Sequence, residues 1–319
     1  MTRLFGSVVL LLAFAGSLLA QGSPAWTEPF PPFRVIGNVY YVGSRGLASY
    51  LITTSGGDIL INSSLESSVP LVRESVEKLG FHFNDVKVLL ISHAHWDHCA
   101  GSALVKQLTG ANYMVMDADV PEIEAGGQGN FRYGDTPGTF YKPTKVDRVL
   151  HDGDEVKLGD TTLVAHLTPG HTKGCTTWTM KAAEAGKTYD VVIVGSPNVN
   201  PGYKLVNNPL YPQIASDYER MFRVLKSLPC DVFLGAHGIT MVWRQSSPGC
   251  RQADRTRSST PQVTRITSRK EKRPSARTWR SRKRPQNRQR RSRLSFPCQR
   301  RHPTCLPAAD NGINEVLHD

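Results

Sequence analysis

His93-Ala94-His95-Trp96-Asp97-His98 is the stretch that decides the fold, and it directly follows the apolar run Val86–Ile91. Three imidazoles and one carboxylate within six residues make a poor hydrophobic core but a good set of metal ligands. A strand that ends just before them would leave these side chains on a loop at the edge of a sheet. Neutral imidazole and carboxylate together favour zinc, which keeps a water ligand when its site is catalytic. The stretch therefore predicts a metal site, and adjacent Asp97 and His98 can serve a second metal.

Two further histidines, His171 and His237, each follow an apolar strand and a turn of small residues. That shared setting predicts that they complete the metal site. We predict two zinc ions with the ligand sets His93, His95 and His171 for the first, and Asp97, His98 and His237 for the second. A metal-bound water ionises near neutral pH and becomes a nucleophile, and a second metal stabilises the leaving group. Asp97 is also the candidate catalytic residue, because its carboxylate can orient that nucleophile. Three other histidines lack this setting and are predicted to be surface or core residues: His82, His151 and His166.

The formal net charge of +12 comes from one end of the chain. Residues 1–243 hold 19 Lys and Arg against 22 Asp and Glu, a net of −3, whereas residues 244–319 hold 20 against 5, a net of +15. The same tail has two aromatic residues and seven Ile, Leu or Val, which is too few to bury a core. We therefore predict a folded domain over residues 23–240 and a disordered Arg/Ser/Pro-rich tail over 241–319.

The N-terminus has the pattern of a secretory signal peptide over residues 1–22. Arg3 supplies a short positive region, Leu4–Ala20 is apolar, and the small residues Ala20 and Gly22 offer cleavage points. The apolar run is short for a membrane span, and no later segment reaches the required length. We predict export to the periplasm or the medium, with no membrane attachment after cleavage. An uncleaved membrane anchor is the alternative.

Hydrophobic periodicity predicts an α/β fold between the leader and the tail. The predicted strands cover 34–42, 48–62 (with a hairpin turn at 55–58), 86–91, 112–116, 147–150, 155–158, 161–167, 175–180, 189–194 and 231–234. The predicted helices cover 66–79, 101–108 and 216–228. Residues 126–143 are rich in glycine and aromatic residues. They predict either a mobile loop over the site or a loop that is packed on the body.

The histidine-rich stretch, Thr168–Thr172 and Gly235–Gly238 together resemble the metallo-β-lactamase superfamily. Four stretches narrow the resemblance to the third subclass of zinc β-lactamases: Leu167–Gly174, Thr176–Trp178, Gly195–Tyr203 and Phe233–Gly238. The resemblance covers roughly residues 30–240. It implies an αβ/βα sandwich with a di-zinc site at one edge of the two sheets.

One position separates relatives within this superfamily. Glyoxalase II, many lactonases and the tRNA-processing nucleases usually place a metal-bridging Asp at the end of the strand before the last helix. This chain has Ser196 there, as the third β-lactamase subclass does, and Asp190 lies at the wrong end of that strand. In the β-lactamase relatives, Ser and Asn near this point help to bind the substrate carboxylate. The resemblance carries that role to Ser196 and Asn198, with a purely structural turn as the alternative.

The resemblance implies hydrolysis of the amide bond of a small-molecule β-lactam by a metal-bound hydroxide, without a covalent enzyme intermediate. Ser196 is therefore not expected to be a nucleophile. A second hypothesis is another exported hydrolase of the superfamily, acting on a lactone, thioester or phosphoester. A third is nucleic-acid binding through the basic tail. The export pattern and the scarcity of aromatic residues in the tail disfavour the third, and the sequence does not indicate an oligomeric state.

The resemblance ends abruptly after the last predicted ligand. The family continues through a C-terminal helix that packs on the sandwich, whereas residues 241–319 contain no amphipathic helix pattern. Cys230 matches a family cysteine that often pairs with one in the C-terminal region, but the cysteines of the tail lack recognisable surroundings. Our hypothesis is a frameshift just after Gly238. Translating the coding DNA in the other two frames tests it, and the absence of an amphipathic helix from both would contradict it.

Overall fold

The computed structural model describes residues 22–238. In that range two β-sheets pack face to face, and helices cover the outer face of each sheet. The αβ/βα sandwich predicted from the sequence is therefore confirmed. Residues 1–21 of the predicted leader, the predicted tail and the proposed frameshift lie outside the described residues. In the described part of the chain, no helix combines the length and the apolar character that crossing a membrane requires.

The first sheet contains seven strands within residues 22–238, in the spatial order β1-β2-β3-β4-β5-β6-β7. They are β1 (Phe33–Ile36), β2 (Val39–Tyr41), β3 (Tyr50–Thr54), β4 (Gly57–Ile61), β5 (Val86–Leu90), β6 (Asn112–Met116) and β7 (Arg148–Leu150). Strands β1 to β4 pair antiparallel, whereas β4 to β7 pair parallel. Parallel neighbours need crossover connections, so the helices of this half lie between β4 and β7 in the chain.

The second sheet contains five strands of the described chain, in the order β12-β11-β10-β9-β8. They are β8 (Glu155–Leu158), β9 (Thr161–Leu167), β10 (Thr176–Glu184), β11 (Lys187–Val194) and β12 (Val232–Gly235). All neighbours are antiparallel except β11 and β12. The α-helices of residues 22–238 are α1 (Val69–Lys78), α2 (Trp96–Cys99), α3 (Ser102–Thr109), α4 (Val120–Glu124) and α5 (Ile214–Ser227). The last of these makes the crossover between β11 and β12.

The central strands are buried on both faces, which explains their continuous apolar sequences. On β4, Ile59 and Ile61 join the core between the sheets, while Leu60 joins the core under α1 and α3. Trp178 of β10 lies in the core between the sheets, and its indole Nε1 donates a hydrogen bond to the Ile91 carbonyl at 3.0 Å. This bond ties the second sheet to the end of β5, where the histidine-rich stretch begins.

Three predicted elements differ from the observed ones. The predicted strand 34–42 is a hairpin of β1 and β2, because Gly37 takes a positive φ of 51° between them. The β10–β11 hairpin is longer than predicted, since it turns at Ala185 and Gly186, with φ values of 50° and 75°, and its polar ends carry no apolar signal. Residues 96–99 were predicted as part of a loop and form the single helical turn α2.

Asp58 on β4 gives a testable link between stability and pH. Burial, together with the negative charge of Asp85, raises the pKa of Asp58 to about 6. Since the unfolded pKa of Asp is about 3.9, the folded state binds more protons between these values, and Asp58 lowers stability as the pH rises through that window. The Asp58→Asn variant should therefore gain more Tm over the wild type at pH 8 than at pH 5, measured by thermal unfolding.

The exposed residue Asp135 supplies a matched control. Its substitution by asparagine removes the same charge from a solvated position, so the Tm difference from wild type should not grow with pH. An Asp58→Asn difference that is equal at both pH values would show that the buried carboxyl does not carry the effect.

Candidate metal centre

Each predicted ligand follows the carboxyl end of a strand. The first histidines follow β5, His171 follows β9, and His237 follows β12 and pairs with Leu47 in an isolated β-bridge. The two sheets thus deliver the ligand segments to one edge of the sandwich. The structure brings all six predicted ligands together there.

The helical turn α2 sets the directions of the side chains within the histidine-rich stretch. His95 precedes the turn, and its carbonyl accepts hydrogen bonds from the backbone N–H groups of His98 at 2.9 Å and Cys99 at 3.1 Å. This winding places the His98 Nε2 atom 3.2 Å from an oxygen of Asp97. The helix, rather than the predicted loop, therefore pairs the two residues expected at the second zinc.

The three residues predicted for the first zinc form a compact group. One ring nitrogen each of His93, His95 and His171 lies within 4.8 Å of the others, and all three residues are buried. Their ring centroids are 4.6 to 4.9 Å apart. Three imidazole nitrogens at this spacing can face a single metal ion.

The residues predicted for the second zinc lie beside this group. The Asp97 Oδ2 atom is 3.7 Å from His237 Nε2, and the His98 and His237 Nε2 atoms are 3.2 Å apart. His93 also groups with Asp97 and His98, with one possible ligand atom of each within 4.8 Å. His93 therefore lies where the two predicted metal positions meet.

Neighbouring groups hold the far side of each ring in the first group. His171 Nδ1 donates a hydrogen bond to the Asn198 carbonyl at 2.7 Å, which leaves its Nε2 unprotonated. His93 Nδ1 lies 3.1 Å from the Ser92 hydroxyl, and His95 Nε2 lies 3.4 Å from the Tyr203 hydroxyl. Such partners orient metal-binding imidazoles and set their tautomers.

One buried nitrogen, His93 Nε2, indicates whether the site suits a metal ion. Within residues 22–238, His93 Nε2 is buried and has no hydrogen-bond partner. A buried polar atom without a partner costs about 1–3 kcal/mol, so this nitrogen needs a partner that the described residues do not supply. Imidazole nitrogens with one carboxylate are the donors that zinc prefers. The residues present therefore fit zinc.

The pKa values of these groups favour metal binding at neutral pH. Burial lowers the pKa of His93 and His95 well below the usual value, and it lowers the pKa of His171 and His237 to about 4. These rings are therefore uncharged, as metal ligands must be. Burial alone would raise the pKa of Asp97, but His98 and His237 reverse this effect and hold the pKa well below its usual range.

The two residues predicted to contact substrate differ in exposure. The Ser196 hydroxyl is buried and has no hydrogen-bond partner among the described residues. The Asn198 residue is exposed, and its carbonyl accepts hydrogen bonds from His171 Nδ1 and from the Tyr218 hydroxyl, both at 2.7 Å. The backbone of Asn198 thus holds the ring of the predicted ligand His171, a role that sequence reasoning missed. Substrate contacts by Ser196 and Asn198 remain predictions.

Aromatic residues that the sequence did not single out border the centre. The ring of Tyr133, from the glycine-rich loop, lies 5.2 Å from His95 and 5.3 Å from Trp96 between centroids. Trp26 lies 6.0 Å from Trp96 and 6.3 Å from His237. The 126–143 loop therefore lies beside the site, and Tyr133 contacts two residues of the histidine-rich stretch. No local pattern marks Trp26.

The histidines and cysteines that were not predicted as ligands lie apart from these groups or are unsuited to bind metal. His82 and His151 are exposed, and His166 bonds the Thr179 hydroxyl at 2.8 Å. Cys99 and Cys175 are buried. Burial raises the pKa of the Cys175 thiol to about 12 and that of Cys99 well above its usual value, so both stay protonated.

Residues 43–237 match the family model of the metallo-beta-lactamase superfamily. The chain is similar to the native FEZ-1 metallo-beta-lactamase from Legionella gormanii, with 59% identity, a TM-score of 0.66, and coverage of 67% of this chain and 82% of that one. It is also similar to the class B3 di-zinc metallo-beta-lactamase LRA-12 from an Alaskan soil metagenome. That match has 33% identity and a TM-score of 0.67, and it covers 70% of this chain and 87% of the other.

A more distant similarity links the chain to another hydrolase. It is 32% identical over 128 residues to the cytoplasmic hydroxyacylglutathione hydrolase of Arabidopsis thaliana, a match that covers 40% of each protein. The chain spans less than half the length of the curated relatives that it matches.

The zinc content of ligand variants tests the arrangement around His93. Because buried His93 lies beside both ligand groups, His93→Ala removes a ligand of the first group and leaves a cavity next to the second. It should therefore lower the zinc bound per chain more than His237→Ala, which removes a ligand of the second group only. His166→Ala is the matched control and should retain the wild-type content. Elemental mass spectrometry of the purified chains, after dialysis against metal-free buffer, measures this. Wild-type zinc content in His93→Ala would exclude His93 as a zinc ligand.

Proposed function

The chain belongs to the metallo-beta-lactamase superfamily, and on that premise we propose that it hydrolyses the amide bond of β-lactam antibiotics with two zinc ions. The observation that carries this proposal is the meeting of two candidate ligand groups at buried His93. The similarity to FEZ-1 and to the class B3 di-zinc enzyme LRA-12 supports both the reaction and the number of metals.

Each zinc ion would be held by three of the six candidate ligands. His93, His95 and His171 would hold one zinc, and Asp97, His98 and His237 would hold the other. Bound zinc supplies a Lewis acid and lowers the pKa of a water ligand towards neutrality. Asp97, whose low pKa keeps it ionised, would orient the attacking water by accepting a hydrogen bond at its carboxylate.

Ser196 would bind substrate rather than attack it. A serine nucleophile needs an adjacent base to take its proton, and the buried Ser196 hydroxyl has no hydrogen-bond partner within residues 22–238. An unpartnered hydroxyl can instead donate to the carboxylate that β-lactams carry beside the ring. We assign this role to Ser196, with the exposed side chain of Asn198 as a second contact at the rim.

A thioester hydrolase is the second candidate, because the chain also matches a hydroxyacylglutathione hydrolase. The presence of Ser196, where thioester hydrolases of this superfamily usually have a metal-bridging Asp, argues against it. The export pattern of residues 1–22 also supports a periplasmic or secreted β-lactamase, and we include that location in the proposal.

Turnover assays on the purified full chain separate the two candidates. A carbapenem, a cephalosporin and a glutathione thioester would each be tested with added zinc and then with a chelator. We expect β-lactam turnover that the chelator abolishes. Turnover of the thioester alone would favour the second candidate, and a zinc-loaded, folded chain that hydrolyses none of the three would contradict both.

Replacing Ser196 tests its assigned role. Ser196→Ala removes one hydrogen bond to a charged group, worth about 1.5 kcal/mol or more, so KM for a cephalosporin should rise about ten-fold. The value of kcat should change less, because the hydroxyl takes no part in bond breaking. Steady-state kinetics measures both, and Ser227→Ala, at an exposed position on α5, is the control. A fall in kcat of several orders of magnitude would instead identify a nucleophile.

A further inference from the structure

Ala94 lies between two predicted ligands, and both polar groups of its backbone are held by distant side chains. Its N–H donates a hydrogen bond to Asp119 Oδ2 at 3.0 Å. Its carbonyl accepts one from the Tyr141 hydroxyl at 2.9 Å. Ala94 is fully buried, so water does not substitute for these partners. The position of the segment that carries His93 and His95 therefore depends on them.

The same carboxylate also holds the segment after His171. Thr172 Oγ1 donates to Asp119 Oδ2 at 2.8 Å, and the Gly174 N–H donates to Asp119 Oδ1 at 2.7 Å. Asp119 thus accepts three hydrogen bonds, one from the β5 side of the site and two from the β9 side. A single buried side chain joins the two segments that supply all three histidines of the first group.

The packing around this carboxylate is tight. A Cβ atom at Gly174 would lie 2.7 Å from Asp119 Cγ and 2.5 Å from the Asp119 backbone nitrogen, so only glycine fits there. Burial raises the pKa of Asp119 to about 6, and the bonds from Thr172, Gly174 and Ala94 oppose that rise. At neutral pH the group is therefore an ionised acceptor that three donors satisfy.

We propose that Asp119 is a positioning residue of the metal centre, whose carboxylate holds the His93–His95 segment and the His171 segment at the spacing at which three imidazoles share one zinc ion. Asp119 belongs to neither candidate ligand group, and it acts through its hydrogen bonds to Ala94, Thr172 and Gly174. The inference rests on the metal site of the proposed function and not on its substrate.

The zinc affinity of Asp119→Asn tests this role. An asparagine side chain has one acceptor oxygen and one NH₂ group, so its NH₂ must face at least one of the backbone N–H donors. We expect zinc affinity to fall about ten-fold, as is typical when an outer partner of a metal ligand is removed. Competition with a chromophoric chelator measures it on the full chain, at a temperature where circular dichroism shows that the variant is folded.

Asp147→Asn is the matched control. Asp147 also accepts a backbone hydrogen bond, from the Tyr113 N–H at 2.8 Å, and it forms an ion pair with Lys106. Neither of these partners belongs to a ligand segment. Its substitution should lower the free energy of unfolding and leave zinc affinity within two-fold of the wild type. An equal loss of zinc affinity in both variants would reduce the effect of Asp119 to general stability and overturn the proposal.

Thr172→Val keeps the test decisive if Asp119→Asn does not fold. The variant removes only one donor to Asp119, and the shape of the side chain is retained. We expect a loss of zinc affinity of a few-fold. Where all variants fold, the double variant Asp119→Asn/Thr172→Val should lose less than the product of the two single losses, because both changes remove the same contact.

Three further results would overturn the proposal: unchanged zinc affinity in folded Asp119→Asn, unchanged affinity in Thr172→Val, or full additivity in the double variant. Because the probe is zinc alone, the outcome is separate from the proposed reaction. A wild-type chain that binds zinc but hydrolyses no β-lactam would contradict the proposed function and leave this inference standing.

Discussion

His93 lies at the centre of a set of buried imidazoles, with its ring centroid 4.3 Å from that of His98 and 4.6 Å from that of His171. Protonating one of these rings would place a positive charge where water cannot solvate it, and any second protonated ring nearby would repel that charge. The burial that lowers the pKa values of His93, His95 and His171 therefore keeps those rings neutral and rich in lone pairs. Unprotonated ring nitrogens can bind a metal cation, and the other groups of the site hold these rings in position.

The centre exists only because two sheets are packed against each other. The first sheet supplies the stretch from His93 to His98, and the second supplies His171 and His237. The apolar core between the sheets joins the two halves, and the Trp178 bond to the carbonyl of Ile91 connects them two residues before His93. Next to His237, the Ala48 N–H donates a hydrogen bond to the Ala236 carbonyl at 2.9 Å and fixes the end of β12. The ligand geometry thus depends on the whole sandwich.

Much of this arrangement could be predicted from local sequence. Strands β5, β6, β8 and β9 have the predicted bounds or nearly so. β5 and β6 are largely buried and leave an apolar run in the sequence, whereas β8 and β9 alternate between buried and more exposed residues. The polar ends of the β10–β11 hairpin were missed, since they carry no such pattern. The helical turn at Trp96–Cys99 was missed because four residues are too few to show helical periodicity.

The sequence by itself determined the chemistry of the candidate site: which residues bear nitrogen and oxygen donors, and that each donor follows a strand and a tight turn. Only the tertiary structure decided which ring nitrogen faces the centre and what holds each ligand segment. Asp119 bonds residues that lie 25 to 55 positions away in the chain, and Tyr203 reaches His95 across 108 positions. Contacts between such distant residues form only when the two sheets meet, so they leave no periodicity or spacing in the sequence.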